Sequence, residues 1–378
     1  MQNIFDYLEW RGDLSFIRDK FNEVDSLIMS VLVYLEFDGI VPSEAKSGSI
    51  PLSKVAEQLR NKPSSHNSDP FFGKIPEFLQ RTAQSERFRD VEISCYVNQV
   101  NHEQSMQFSA AVFSINAKQH FIAFRGTDYS LAGWKEDFQM SFTDEVQAQR
   151  NAKTYTHNIF SKYKGNFYLG GHSKGGNLAV YSAAHATAGH RKRTIGVFNY
   201  DGPGFQTKML QSEGYQRIVD RIKTFLPKSS IVGMLLEHGE EYRVISSDAP
   251  GIMQHNPFSW KVSGTHFVYE KGLTKSSQNF SKTVRLWLDQ LSIEQRAQFV
   301  EAMFSIIQAT GALSVSELSK EKLTTAYTMI KTLKNMNPQT KSFLKKTIQL
   351  FFSETQIVMR NSIKEDINSL FPKKDNKL

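Results

Sequence analysis

The sequence predicts an α/β fold: a mainly parallel β-sheet with helices on both faces, preceded by a helical segment and followed by a helical extension. Two observations support this prediction. Short runs of β-branched and aromatic residues alternate with helical segments between about residues 88 and 246. From Lys275 onward the apolar residues keep a helical spacing to the C terminus. We therefore predict an N-terminal helical, lid-like segment at 1–79, an α/β core at 80–270 and a C-terminal basic helical region at 271–378.

The individual elements are predicted from local patterns along the chain. Predicted strands are rich in Val, Ile, Tyr and Phe and end at polar turns, whereas predicted helices have apolar residues three or four apart. The connection Pro42–Asp69 contains three prolines and seven serines and is therefore the most lid-like segment. Helices are predicted at 19–36, Ser53–Leu59, Gly133–Phe142, Glu145–Tyr163 and Gly176–Ala186. Strands are predicted at Val91–Asn98, Gln107–Ile115, Gln119–Phe124, Asn166–Gly170, Thr194–Tyr200, Arg221–Leu226 and Glu241–Ser246.

Composition and charge exclude several classes of protein. Hydrophobic residues make up 40% of the 378 residues and charged residues 22%, which excludes a disordered or collagen-like chain. The single cysteine, Cys95, excludes an internal disulfide and a multi-cysteine zinc site. The formal net charge of +8 arises from residues 271–378, which contain 17 basic and 9 acidic side chains. No nucleic-acid-binding motif accompanies this charge, so nucleic acid is not a predicted partner.

The sequence pattern predicts neither a secretory signal nor a membrane span. Acidic and basic residues interrupt Met1–Phe16, which therefore lacks the apolar centre of a signal. The longest apolar run, Leu27–Leu35, is far shorter than the roughly 20 residues of a membrane-spanning helix. We expect a cytoplasmic location, with export by a route that needs no cleaved signal as the alternative.

The most informative motif is Gly171-His172-Ser173-Lys174-Gly175, which has the G-x-S-x-G pattern of a serine nucleophile. A predicted strand precedes it and a predicted helix follows it. Such a strand–turn–helix holds the serine in a strained conformation at the strand end, and the flanking glycines prevent clashes in the tight turn. The helix N terminus also directs backbone N–H groups at an oxyanion. We predict Ser173 as the nucleophile, and a structural Gly-rich turn is the alternative.

A serine nucleophile needs a base at hydrogen-bond distance, and the loop after the last predicted strand offers His255. This loop, Asp248–Pro257, is rich in turn-forming residues. Loops that follow the C-terminal ends of parallel strands converge over the nucleophile in folds of this kind. We predict His255 as the base, with His266 as the alternative.

The acid that orients the base is expected between Ser173 and His255 in the chain. Asp201 directly follows the strand Thr194–Tyr200, and the Gly-Pro-Gly after it forces a turn. We predict Asp201 as the acid, although a turn or helix cap is an alternative role for it. The other carboxylates in this interval that merit consideration are Glu237, Glu240 and Asp248.

Two backbone N–H groups are expected to bind the oxyanion of an acyl intermediate. One belongs to Lys174, because this residue follows the nucleophile. The second is predicted at Thr127, which follows the strand Gln119–Phe124 after Gly126, a residue that permits the turn. An ordinary strand-to-helix turn is the alternative for this second segment.

These motifs resemble those of the class 3 lipases of the α/β-hydrolase superfamily. Phe124-Arg125-Gly126-Thr127 with Trp134 and Asp137 is similar to their F-R-G-[ST] strand end and the helix after it, and Gly171–Gly176 is similar to their G-H-S-x-G-[GA] elbow. Over roughly residues 1–310 the chain resembles more closely the Mbeg1-like proteins of Gram-positive bacteria, which are related to those lipases. This similarity includes Trp10–Phe16, Asn22–Asp25, Tyr200–Phe205, Ser230–Leu236 and Gln254–Phe258.

The resemblance implies an α/β-hydrolase-like fold and hydrolysis of a carboxylic ester of a lipid or other hydrophobic compound, without a metal or organic cofactor. Where the class 3 lipases carry their acid, this chain has serines at Ser229 and Ser230. The acid is therefore Asp201, at a strand end comparable to that in pancreatic-type lipases, or Ser230 orients the histidine without charge. The second possibility favours the alternative function, a weakly catalytic or non-catalytic scaffold that binds a partner or a membrane surface.

The C-terminal region contains a basic segment at 341–363 in which apolar residues recur with helical spacing. This stripe either packs on the core with its lysines in water, or it binds an anionic lipid surface together with the helix predicted at Leu291–Gln308. The apolar residues are Leu344, Ile348, Phe351, Phe352, Ile357 and Val358, and the basic residues are Lys341, Lys345, Lys346 and Arg360.

Overall fold

The computed structural model describes residues 2–44, 48–60, 69–101, 103, 106–128, 130–312 and 322–370. Residues 45–47 and 61–68 of the predicted lid-like connection lie outside these described residues. The chain forms two compact units, the first at Met1–Leu273 and the second at Thr274–Leu378. None of the helices in the described residues is both long and apolar enough to cross a membrane.

The first unit is built on an eight-stranded sheet whose strands lie in chain order. The strands are β1 (Ile50–Pro51), β2 (Glu92–Asn101), β3 (Met106–Asn116), β4 (Gln119–Phe124), β5 (Asn166–His172), β6 (Thr194–Tyr200), β7 (Ile222–Pro227) and β8 (Tyr242–Ile245). From β1 to β4 neighbouring strands are antiparallel, and from β4 to β8 they are parallel. The predicted mainly parallel sheet is confirmed, and its parallel part brings the C-terminal ends of β4 to β7 to one edge. A separate antiparallel pair consists of β9 (Val262–Ser263) and β10 (His266–Phe267).

Helices cover both faces of this sheet, as predicted. Because side chains alternate along a strand, Phe121 and Ala123 of β4 belong to one hydrophobic cluster and Ile122 and Phe124 to another. The first cluster includes residues of α1 to α4, and the second includes residues of α6 and α7. The helices of this unit are α1 (Ile4–Arg11), α2 (Glu23–Leu32), α3 (Leu52–Leu59), α4 (Ile75–Gln84), α5 (Leu131–Gln139), α6 (Gln147–Lys162), α7 (Lys174–Ala184), α8 (Ala188–Arg193), α9 (Thr207–Leu210) and α10 (Glu213–Gln216).

The N-terminal helices are part of the first compact unit. Every residue of α2 is buried, and this helix packs against β4 and β5 at the centre of the sheet. Asn22 caps α2 by accepting hydrogen bonds from the backbone N–H groups of Val24 and Asp25. The apolar run at Leu27–Leu35 therefore covers one face of the sheet.

The second unit is helical throughout its described residues. Its helices are α11 (Lys275–Asp289), α12 (Ile293–Gln308), α13 (Lys322–Asn335) and α14 (Pro338–Leu370). α14 packs against α11 and α12. The indole N–H of Trp287 donates to the carbonyl oxygen of Thr347 at 3.0 Å, and the side-chain amide of Gln290 donates to Glu354 at 2.5 Å, so α11 is joined to α14 by polar contacts as well.

Candidate active site

Ser173 lies at the turn between β5 and α7, in the conformation that the motif predicts. Its φ of 58° and ψ of −136° are strained for a residue with a side chain. A Cβ atom on Gly171 would lie 2.4 Å from the backbone of Gly175, and one on Gly175 would lie 2.1 Å from the carbonyl oxygen of Phe124. Only glycine therefore fits on either side of the serine. The N–H of Ser173 donates to the carbonyl oxygen of Tyr200 at 2.8 Å, which fixes the turn against the end of β6.

Asp201 follows β6 directly and is fully buried beside His255. Its Oδ2 lies 2.7 Å from Nδ1 of His255, while its Oδ1 accepts the Ser230 hydroxyl at 2.5 Å and the Gly233 N–H at 3.2 Å. A carboxylate with these donors requires a proton on Nδ1 of His255, which leaves Nε2 free to accept a proton. This is the tautomer that a general base needs.

His172, the residue before the nucleophile, joins the base to the elbow. Its ring centroid lies 4.5 Å from that of His255, and its Nε2 donates to the carbonyl oxygen of His255 at 2.8 Å. Its Nδ1 lies 3.1 Å from the hydroxyl of Tyr34. Burial, together with repulsion by His255, lowers the pKa of His172 well below its usual value, so the ring is neutral. His172 is not among the residues predicted to form the site, and its place inside the elbow is the only signal for it in the sequence.

The reactive groups themselves remain open. Among the described residues, no side chain or backbone group makes a hydrogen bond with the Ser173 hydroxyl or with Nε2 of His255. Ser173 is 9% exposed, and the side chain of His255 is 27% exposed. Serine–histidine hydrogen bonds are often absent or long in proteins without substrate. The structure thus brings Asp201 and His255 into direct contact, and His255 in turn contacts His172, the residue before the strained serine.

The predicted oxyanion segment lies against the nucleophile. A Cβ atom on Gly126 would lie 3.0 Å from Cβ of Ser173, so the backbone at this position approaches the serine closely. The hydroxyl of Thr127 donates to Oδ2 of Asp137 at 2.5 Å. Within the described part of the chain, the backbone N–H groups of Thr127 and Lys174 make no hydrogen bond. Both are therefore available to an oxyanion.

The side chain of Lys174 points away from the reactive groups into the core. It is 1% exposed, forms a salt bridge of 3.1 Å with Glu136 and donates to the carbonyl oxygen of Gln107 at 3.1 Å. Next to Glu136 in α5, Asp137 has a buried Oδ1 with no hydrogen-bond partner among the described residues. Burial raises the pKa of Asp137 to about 6, although Lys174 and the Thr127 hydroxyl oppose this shift.

The alternative site residues lie elsewhere. Asp248 pairs with Lys261 at 2.9 Å and its side chain is 49% exposed. Glu240 pairs with His238, and His266 lies 3.4 Å from Glu23. The Ser230 hydroxyl donates to Asp201, so it supports the carboxylate. Among the described residues, no group of three His, Cys, Asp or Glu side chains could hold a metal ion.

Aromatic side chains lie next to the two histidines. The ring centroid of Phe71 is 5.5 Å from that of His172 and 5.8 Å from that of Phe258. Phe72 and Tyr34 extend this group. A cavity of about 360 Å³ is lined by Asn177, Phe205 and Leu236 among others, and Ser173 and His255 are not among its lining residues. Within the aromatic group, Tyr34 and Phe258 are buried, whereas Phe71 and Phe72 are partly buried.

Comparisons with known proteins agree with the resemblance seen in the sequence. A family model described as Mbeg1-like matches residues 82–305. Among solved structures, the M37 lipase is similar to this chain at 14% identity with a TM-score of 0.35, covering 55% of this chain and 67% of the lipase. No curated protein matches the chain.

Proposed function

The chain belongs to the Mbeg1-like family, and we propose that it is a serine hydrolase that cleaves carboxylic esters of lipids or other hydrophobic compounds. The observation that carries this proposal is the 2.7 Å hydrogen bond between buried Asp201 and His255, next to a serine in a strained elbow. A simple structural turn gives no reason for a buried acid–histidine pair at the same edge of the sheet.

In the proposed mechanism the Ser173 hydroxyl attacks the acyl carbon while Nε2 of His255 takes its proton. Asp201 holds the imidazole and stabilises the positive charge that forms on it. The N–H groups of Thr127 and Lys174 bind the oxyanion of the tetrahedral intermediate. His255 then gives the proton to the leaving alcohol, and water hydrolyses the acyl-enzyme in the reverse sequence of proton transfers.

The hydrophobic substrate is proposed from the aromatic group around His172. Phe71 and Phe72 of this group are only partly buried and offer an apolar wall near His172, and burying a few methylene groups against it would contribute about 0.8 kcal/mol each. We therefore expect longer acyl chains to be hydrolysed with lower KM than acetyl esters.

The test is labelling with a fluorophosphonate probe combined with hydrolysis of p-nitrophenyl esters. We expect Ser173→Ala to abolish labelling and to lower kcat by roughly 10⁴ to 10⁶. The matched control is Ser161→Ala, because Ser161 is an exposed serine on α6, outside the elbow. Unchanged hydrolysis in the Ser173 variant would remove this residue from the mechanism and leave the scaffold alternative.

We further propose that the second unit binds an anionic lipid surface through α14. One side of this helix is buried through Leu344 and Val358, whereas Ile348, Phe352 and Met359 are 46%, 60% and 55% exposed. Residues 348, 352, 359 and 363 share one helical face, because successive members are about four or seven residues apart, close to one or two helical turns. Lys341 and Lys345 lie at the start of that same face. An exposed apolar stripe with lysines at its end is typical of helices that lie in a lipid interface.

Vesicle co-sedimentation of the full chain tests this second proposal. Each basic residue near an anionic surface contributes about 1 kcal/mol, so neutralising two lysines should weaken binding roughly 30-fold. We expect Lys341→Gln with Lys345→Gln to weaken binding to phosphatidylglycerol vesicles, and high salt to weaken wild-type binding. The control replaces Lys164 and Lys192, two exposed lysines of the first unit, by glutamine. Equal binding to neutral and anionic vesicles would contradict the proposal.

A further inference from the structure

A buried polar group lies behind the proposed acid, on the side away from His255. Its centre is His238, whose side chain is 4% exposed. Nε2 of His238 lies 2.6 Å from the carbonyl oxygen of Gly233, and its Nδ1 lies 3.1 Å from Oε1 of Glu240. Both ring nitrogens therefore have a partner, although the ring is almost out of contact with water.

The partners of Glu240 show which atoms carry the protons. The hydroxyl of Thr224 donates to Oε1 of Glu240, and the hydroxyl of Tyr215 donates to its Oε2. Glu240 thus only accepts hydrogen bonds. Although burial opposes ionisation, the hydrogen bond and charge of His238 contribute most to lowering the pKa of Glu240 to about 2.

The hydrogen-bond partners of His238 require a proton on each of its two ring nitrogens. A carbonyl oxygen cannot donate, so Nε2 must donate to Gly233, and a carboxylate cannot donate, so Nδ1 must donate to Glu240. The ring is then an imidazolium. Burial disfavours that charge, but the hydrogen bond and charge of Glu240 outweigh it and raise the pKa of His238, with smaller contributions from Gly233 and Asp201.

Gly233 connects this charged ring to the acid. While its carbonyl oxygen accepts from His238, its N–H donates to Oδ1 of Asp201 at 3.2 Å. A Cβ atom on Gly233 would lie 2.4 Å from that same Oδ1, so only glycine allows this approach. The N–H and carbonyl groups of Gly233 therefore link the His238 ring to the Asp201 carboxylate.

We propose that His238 is a positioning residue, whose imidazolium, held by Glu240, fixes Gly233 so that its N–H orients Asp201 toward His255. This inference rests on the proposed function for its effect on rate. The charged or titratable groups that face the ring in the described residues are Glu240, Asp201 and Tyr242, with Tyr215 behind Glu240. When the ring loses a proton, one of its two hydrogen bonds is lost, and the hold on Gly233 weakens.

The sign of the pH effect follows from the raised pKa of His238. The ring keeps both protons above the usual histidine range, so the rate should be insensitive to this group there and should fall at more alkaline pH. Glu240→Gln removes the charge that raises this pKa and should move the fall to lower pH. In His238→Gln both N–H groups lie on one nitrogen and the other end of the amide is an acceptor, so the side chain cannot donate to Gly233 and Glu240 from two separate nitrogens as the ring does. This variant should lower the rate of Ser173 labelling about tenfold, with KM for a soluble ester unchanged.

The experiment combines ¹⁵N NMR of the histidine rings with amide hydrogen exchange at Gly233 in the full chain. In a pH titration we expect the ring that is absent in His238→Gln to remain doubly protonated above the usual histidine range in the wild type, and we expect reduced protection of the Gly233 amide in both His238→Gln and Glu240→Gln. His157→Gln, which replaces an exposed histidine of α6, should change neither readout. Comparable unfolding temperatures show that the variants are folded.

Loss of the second His238 proton within or below the usual histidine range would overturn the inference, and so would unchanged Gly233 protection in both variants. Ser173 labelling is measured in parallel and keeps the two proposals distinguishable. If the wild type shows the doubly protonated ring and the protected Gly233 but no labelling at any pH, the hydrolase proposal fails while the arrangement of His238, Gly233 and Asp201 stands. If labelling occurs but its pH profile is identical in wild type and Glu240→Gln, the positioning role fails and the hydrolase proposal stands.

Discussion

The two compact units differ in how far they bury their apolar side chains. Among the described residues, the largest fully buried side chains all belong to the first unit, and they include Trp260, Tyr200 and Phe121. In the described part of the second unit six hydrophobic residues are buried, whereas ten large hydrophobic residues are exposed. A dense core holds side chains in single positions, which a triad requires, while exposed apolar residues remain available to a surface. The difference suggests that chemistry and surface binding are assigned to different units and can be altered separately.

The largest expected effect is on the chemistry of the first unit alone. Asp201→Asn should lower kcat by roughly 10⁴, because the amide favours the wrong tautomer of His255. Binding to anionic vesicles should not change. Ester hydrolysis and vesicle co-sedimentation of the same preparation check both statements, and a joint loss would break the separation between the units.

Ser230→Ala is the matched control for the acid. The Ser230 hydroxyl donates to Oδ1 of Asp201 and does not replace the carboxylate, so its removal should cost one hydrogen bond to a charged group, about tenfold to 100-fold in rate. A larger loss in the serine variant than in Asp201→Asn would transfer the orienting role to the position where class 3 lipases carry their acid.

The sequence predicts the part of the site that depends on local pattern. The elbow around Ser173 and the strand end at Asp201 follow from glycines and apolar runs within about ten residues of each. The support of Asp201 by Ser230, Gly233 and His238 could not be predicted, since it joins residues 29 to 37 positions apart through the packing of β6 against β7. Likewise, the buried pair of Lys174 and Glu136 depends on how α5 packs against β3, which no local pattern encodes.

The apolar residues of the basic segment at 341–363 show the same limit of prediction from local sequence pattern. Spacing alone places all its apolar residues on a helix, and α14 is indeed helical there. The structure divides them, since Leu344 and Val358 are buried while Ile348 and Phe352 are exposed. One side of α14 is therefore packed as the first alternative predicts, and the exposed side is the one to which the surface-binding proposal applies.

A smaller effect concerns stability and sharpens the comparison between the units. Phe121→Ala removes a fully buried ring from β4 and should lower the free energy of unfolding by about 3 to 5 kcal/mol. Phe352→Ala, at a ring that is 60% exposed, should change it by no more than about 0.5 kcal/mol. Urea denaturation measures both. Similar losses would mean that the exposed face of α14 is covered in solution.

The smallest expected effect tests burial of charge in the first unit. The pKa of Asp137 is about 6 in the folded chain, above the value of about 3.9 in an unfolded chain, so folding favours its protonated form. The stability that this group contributes is complete below pH 4 and is lost as pH rises through 6. Asparagine cannot ionise, and its oxygen still accepts from Thr127.

The unfolding temperature of Asp137→Asn relative to wild type should therefore increase between pH 4.5 and 7.5. Asp13→Asn, at an exposed position, should show no such trend. If the unfolding temperature of Asp137→Asn minus that of the wild type is constant or decreases with pH, Lys174 stabilises the ionised carboxylate enough to offset its burial.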